Sequence, residues 1–138
     1  MTKPRNTYRG VVYPWQCDAM GHLTTRYYMA MFDEAAWHFL HEAGFDASTM
    51  HETNIGWTDV RHEIEYLREL REGELVLIES MPVRVGNKSI MYQLEMKTVR
   101  DGETCARLTA TSVQFDLEER RAIPVLPQVR ERLLAWLG

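Results

Sequence analysis

Cysteine is scarce in this chain. Two residues in 138, Cys17 and Cys105, make no CxxC pattern and no disulfide framework of the kind that staples small secreted domains. No apolar run approaches the roughly 20 residues that a membrane-spanning helix needs, and residues 1–7 lack the hydrophobic stretch of a secretory signal. A reducing cytoplasm is therefore the expected setting, with no membrane partner. Basic charge is not in excess either. Sixteen Lys and Arg stand against 20 Asp and Glu, a formal net charge of −4, which argues against nucleic acid as a partner. Gly86-Asn87-Lys88-Ser89 lacks the upstream glycine of a phosphate loop. His38, His41, His51 and His62 complete no HExxH or carboxylate–histidine set, so solvated or core-edge histidines are expected and no metal. The Asn87-Lys88-Ser89 sequon is incidental without a secretory signal. Internal repeats, low-complexity stretches and linkers are absent, so the length fits one domain with a real core.

What the chain does have is one long apolar helix, predicted over residues 26–43. Tyr28, Met31, Phe32, Ala35, Phe39 and Ala43 recur at three- and four-residue steps on one face. Tyr27, Ala30, Ala36 and Leu40 widen that face, and Asp33, Glu34, His38 and Glu42 are the main exceptions. A helix this apolar must be wrapped by other elements. Thr24 or Thr25 can cap its start, and Gly44 stands where a left-handed residue closes the end. Before the helix come a carboxylate, Asp18, and a glycine turn at Gly21. The free N–H groups and the dipole of a helix start favour an anion at that point.

The remaining segments read as strands. Residues 8–15 form a first strand ending at Pro14, and 44–57 a loop with room for one short helical turn. From Thr58 the period becomes two, with Val60, His62, Ile64 and Tyr66 opposed to Arg61, Glu63, Glu65 and Leu67. A turn at 71–74 leads to a strand over 75–85, where Pro82 suggests a bulge or an edge. Hairpin turns at Gly86-Asn87 and Asp101-Gly102 separate strands over 88–100 and 104–116. A C-terminal helix over 128–137 packs Val129, Leu133, Leu134 and Trp136. Sequential hairpins make the sheet antiparallel, with its apolar face on the helix. The fold class is α+β, a five-stranded antiparallel sheet curved around one long helix.

The run Trp15-Gln16-Cys17-Asp18-Ala19-Met20-Gly21-His22-Leu23, followed by Tyr27-Tyr28 and Phe32-Asp33-Glu34-Ala35, resembles the signature of the 4-hydroxybenzoyl-CoA thioesterase-like hot-dog family. Glu65-Tyr66-Leu67, Gly73-Glu74 and Asn87-Lys88-Ser89 fit strands of the same family, so the resemblance covers nearly the whole chain and implies a single hot-dog domain over 1–138. It implies that Asp18 is the catalytic carboxylate of acyl-CoA thioester hydrolysis, as nucleophile or general base, with the oxyanion held by a backbone N–H near Thr25. That agrees with the independent reading of a carboxylate beside a helix start. The bland alternative is that Asp18 only bonds its own backbone in an Asx turn. Gln16 stands where relatives often carry a second acid.

His22 is expected to donate a hydrogen bond in the site or simply to hold the turn. Cys17 reads as a small buried filler, with no partnered base for a thiol nucleophile. Tyr28, Met31 and Tyr66 are candidates for lining the acyl pocket. The resemblance implies that His62 and Glu63 lie on a strand lining the pocket across a dimer interface, against a bland reading as sheet-surface polarity. It also implies that Lys88 faces the CoA phosphates, against a solvated hairpin. The expectation is an acyl-CoA thioesterase needing no metal or organic cofactor, assembled as a homodimer or a tetramer of dimers. A hot-dog hydratase or dehydratase and a non-catalytic acyl-CoA-binding protein are the alternatives.

Overall fold

The helix that dominates the sequence forms where its apolar period runs, over Thr25–Glu42 (α1). Its buried side chains are Tyr28, Met31, Phe32, Ala35, Phe39 and Leu40, the spacing of a single stripe facing a core. Ala30 and Trp37 stay exposed, so the helix is covered on one side rather than all round. Thr24 is the N-cap residue, but its hydroxyl caps nothing and instead donates to the Gln16 carbonyl at 2.9 Å. Gly44 takes φ +88°, the left-handed conformation that ends the helix.

A computed structural model describes residues 2–138. Ahead of α1 come a strand, Arg5–Val11 (β1), and a 3-10 turn, Pro14–Gln16. After it follow a short helix, Ala47–Thr53 (α2), and four strands: Ile55–Tyr66 (β2), Leu75–Val85 (β3), Ser89–Thr98 (β4) and Thr104–Asp116 (β5). A two-residue strand, Arg121–Ala122 (β6), and a last helix, Pro127–Leu137 (α3), close the chain. The first strand is earlier than expected and stops before Pro14. The predicted loop holds two turns of helix, capped by Asp46, whose side chain accepts from the Thr49 amide at 2.9 Å.

The five long strands make one antiparallel sheet in the order β1-β3-β4-β5-β2, with β6 on β5. The register shifts between Pro82 and Arg84, so Pro82 marks a bulge. The buried face runs through Val76 and Ile78 on β3, Ile90, Tyr92, Leu94 and Met96 on β4, and Ala106, Leu108 and Ala110 on β5. This face curls over α1, where Phe39 stacks on Tyr92 with ring centroids 4.3 Å apart. From α3, Val129, Leu133 and Trp136 are buried, whereas Leu134 points outward, contrary to the sequence reading. The strand order leaves β2 on an edge, and residues 58–63 of it are exposed without interruption.

Burial pushes the phenol of Tyr92 up to about 12, with the Asp59 and Asp33 carboxylates adding to the shift, and burial likewise pushes Tyr28 to about 12. An ordinary tyrosine titrates near 10, so the folded protein holds these protons more tightly than the unfolded chain. Their stabilising contribution is fully present below pH about 10 and is lost as pH rises toward about 12. Tyr92→Phe should cost about 1 kcal/mol at neutral pH, through the hydroxyl that lies 3.2 Å from Ser112 Oγ. It should also flatten the fall in urea midpoint between pH about 10 and 12; an unchanged alkaline slope would contradict this account.

Candidate active site

The segment before α1 folds back on itself. Asp18 N donates to the His22 carbonyl at 2.9 Å and Gly21 N to the Asp18 carbonyl at 3.0 Å. Gly21 has φ +81°, so glycine is needed here for the backbone conformation, since a Cβ would meet nothing. Asp18 Oδ1 accepts from the amides of Met20 at 2.9 Å and His22 at 3.2 Å. The Asx turn of the bland reading therefore exists, yet it engages one carboxylate oxygen and leaves Oδ2 without a partner among the described residues. The same turn is stitched to the chain beyond β2 by Leu23 N, which donates to the Leu70 carbonyl at 2.7 Å.

At the start of α1 the amides of Tyr27 and Tyr28 turn back to the Thr24 carbonyl, at 2.9 and 3.4 Å. The preceding amides of Thr25 and Arg26 have no acceptor among the described residues, as the geometry of a helix start dictates. Donors of this kind, backed by the helix dipole, can hold the oxygen of a carbonyl that gathers negative charge.

Asp18, His22, Thr25, Tyr28 and Tyr66 line one open cavity of about 280 Å³. Tyr28 sits edge-on to Tyr66, centroids 5.2 Å apart at 81°, and its hydroxyl donates to the Arg68 carbonyl at 3.3 Å. Met20, Leu23, Leu67, Arg68 and Glu69 complete the wall. The first three fall inside the signature runs of the sequence, whereas nothing there singles out Arg68 and Glu69. Glu69 Oε2 lies 3.2 Å from His22 Nε2. The wall is fixed because the amides of Leu67 and Arg68 both donate to the Cys105 carbonyl, at 2.8 and 3.1 Å. The Arg68 guanidinium reaches Thr98 Oγ1 at 3.0 Å and pairs with Asp101 and Glu103. The Thr98 hydroxyl, the Glu103 amide and Arg68 hold the Asp101 carboxyl well below the usual carboxylate range. Arg68 and Glu69 are polar and belong to no periodic pattern, so only their adjacency to the Glu65-Tyr66-Leu67 run could have pointed to them.

Other expectations are placed elsewhere. Met31 is 2% exposed, in the core and not on the cavity. Cys17 is half-buried rather than buried, with Sγ 3.7 Å from the Tyr13 carbonyl. His62 and Glu63 lie on the exposed part of β2, away from the cavity. Lys88 is exposed on the β3–β4 hairpin. Tyr66 pairs with Ala106, whereas Ser89, next to Lys88, pairs with Val113, seven residues further along β5. At about 3.3 Å per residue, Lys88 stands roughly 23 Å from the level of the Asp18 cavity.

The model of the thioesterase-like superfamily matches residues 12–133. No curated protein matches the chain in sequence. Among solved structures, a hypothetical protein from Staphylococcus aureus in complex with CoA is similar at a TM-score of 0.89 and 14% identity, over 99% of this chain and 85% of that one. A gentisyl-coenzyme A thioesterase is similar at 0.78 and 24% identity, over 89% of this chain and 98% of that one. A 1,4-dihydroxy-2-naphthoyl-CoA thioesterase from Synechocystis is similar at 0.81 and 16% identity, over 95% and 96% of the two chains. At these identities the likeness is one of fold, the hot-dog arrangement.

The two amides on Asp18 Oδ1 give a prediction for stability. Asp18→Asn keeps an acceptor for them, whereas Asp18→Ala leaves both without one. The alanine variant should be about 1–2 kcal/mol less stable than the asparagine variant. Equal urea midpoints for the two would show that the turn does not depend on this side chain.

Proposed function

The chain belongs to the thioesterase-like superfamily, and from that premise we propose that it hydrolyses acyl-CoA thioesters to free acid and CoA. The observation that carries the reading is the pairing of Asp18, one oxygen pinned and one left over, with the helix-start amide of Thr25, partnerless among the described residues, around one open cavity. In the reaction the thioester carbonyl lies against the helix start, with the Thr25 amide donating to its oxygen. Asp18 Oδ2 either attacks the carbonyl carbon, giving a mixed anhydride that water then hydrolyses to the free acid, or takes a proton from an attacking water; the thiolate of CoA leaves in both routes. Charge that builds on the carbonyl oxygen meets donors already oriented by α1, which lowers the barrier without any rearrangement. His22, held by the turn and facing Glu69, shapes the cavity beside Asp18. Tyr28 and Tyr66 supply its apolar wall.

Asp18→Asn should keep the fold and still bind acyl-CoA while losing most turnover, since loss of a general base typically costs about 10²- to 10⁴-fold. Release of free CoA, followed with a thiol reagent, measures it. Cys17→Ser should stay within several-fold of the parent. Near-normal CoA release by a folded Asp18→Asn protein would overturn the proposal.

We further propose that two copies pair through β2. This edge exposes Val60, at 57%, and Tyr66, at 49%, and an uncovered edge strand invites pairing. Antiparallel pairing about the middle of β2 is self-complementary. It carries His62 and Glu63 into the interface and brings the Lys88 hairpin of one copy toward the Asp18 cavity of the second. Lys88 then has a route to the CoA phosphates that its own protomer denies it. Sedimentation at micromolar concentration should give twice the 16.2 kDa chain mass or a multiple of that; a lone monomer would remove both the pairing and the role of Lys88.

A further inference from the structure

A second cavity, of about 150 Å³, lies between α1, α2 and the N-terminal half of β2. An engineered apolar cavity of that size accommodates benzene, so there is room for one compact group. Four aromatic side chains line it, Trp37 from α1, Phe45 from the turn after it, Trp57 from β2 and Tyr92 from β4, beside the aliphatic Leu40, Met50 and Leu117. Phe45 and Trp57 stand edge to face, centroids 5.7 Å apart at 74°. Two carboxylates open onto the same space, Asp33 from α1 and Asp59 from β2, and no Lys, Arg or His lines it.

Asp59 is held in place. Ser112 Oγ donates to Asp59 Oδ1 at 2.6 Å, and the buried Tyr92 hydroxyl lies 3.2 Å behind Ser112. The second oxygen, Oδ2, lies 3.8 Å from His62 Nε2. Asp33 makes no ion pair among the described residues. The indole N–H of Trp57 is buried and also lacks a partner there. Aromatic faces attract a cation through their negative quadrupole, most strongly when water is excluded, and carboxylates add to the attraction. Asp33 is exposed and Asp59 half-exposed, so both carboxylates stand at the mouth of the cavity; a cation entering there gains from them and an anion is repelled.

We infer that this cavity is the specificity pocket for the acyl group and selects one that carries a positive charge, of the quaternary ammonium class. The inference rests on the thioesterase reading. Thr25, Met29 and Asp33 follow one another at four-residue steps along α1. The cavity therefore begins, at Asp33, about 12 Å along the helix from the Thr25 amide. Its β2 wall lies deeper: Asp59 pairs with Ser112, six residues along β5 from the Tyr66–Ala106 level, or roughly 20 Å. The acyl chain that reaches it is therefore a long one.

The test is a length series of ω-trimethylammonioacyl-CoAs, each beside its tert-butyl analogue, in which carbon replaces the charged nitrogen. Turnover is followed by CoA release. At the best length, kcat/KM should favour the charged member by roughly ten-fold or more. Asp33→Asn and Asp59→Asn should each cut that ratio several-fold. Equal turnover within every pair, or a ratio that survives both substitutions, overturns the inference while hydrolysis of the neutral esters leaves the thioesterase reading standing. If neither kind of ester is hydrolysed, the thioesterase reading fails. The NMR signal of the Trp57 indole N–H, assigned with Trp57→Phe, then decides on the cavity. A saturable shift with tetramethylammonium but not with tert-butanol supports cation selection, and no shift overturns it.

Discussion

Everything in this molecule depends on covering one side of α1. Tyr28, Met31, Phe32, Ala35 and Phe39 cannot be left in water; each large side chain contributes roughly 1.5–3 kcal/mol when buried. A flat sheet would touch only part of such a helix. The strands β3, β4 and β5 therefore curl, with their alternating Ile, Tyr, Leu and Met side chains turned inward, and the bulge at Pro82 adds to the bend. The stack of Phe39 on Tyr92, flanked by Trp136 at 5.4 Å, joins helix, sheet and C-terminal helix at one point.

A helix held this firmly by its side has a fixed end. The first amides of α1 cannot find partners within the helix, and the chain that leads into it turns so that Asp18 faces the same cavity. The turn is tied to 70–71 and through Arg68 to Thr98, Asp101 and Glu103. Asp18 is thus positioned by a network that reaches two strands away. The same helix presents Asp33 and Trp37 to the second cavity, on its solvent side. One rigid element serves both places because its apolar face is committed to the core and its remaining faces are free to carry polar groups.

The β2 edge shows the opposite condition. Its residues 58–63 pair with β5 on one side and, among the described residues, meet no strand on the other, and their side chains are exposed. They alternate as a strand should, yet burial within one chain does not account for the apolar Val60 or the length of the strand. A second copy resolves that imbalance in the proposed assembly.

The sequence alone determined the elements whose signals are local. The period of 3.6 marked α1 to within a residue, and the period of two with its hairpin turns placed 75–85 and 104–116 where β3 and β5 lie. A carboxylate, a glycine turn and a helix start were visible as a unit before any coordinates, and that unit lines one cavity. The tertiary structure alone decided the rest: that β1 pairs with β3 rather than β2, and that Met31 faces the core while Tyr66 meets Tyr28. It decided too that Arg68 and Glu69 wall the site, and that Asp33, Trp57 and Asp59 share a cavity. The physical reason is separation along the chain. Side-chain periodicity reports which face of an element is apolar, whereas which faces meet depends on how the whole sheet closes around the helix.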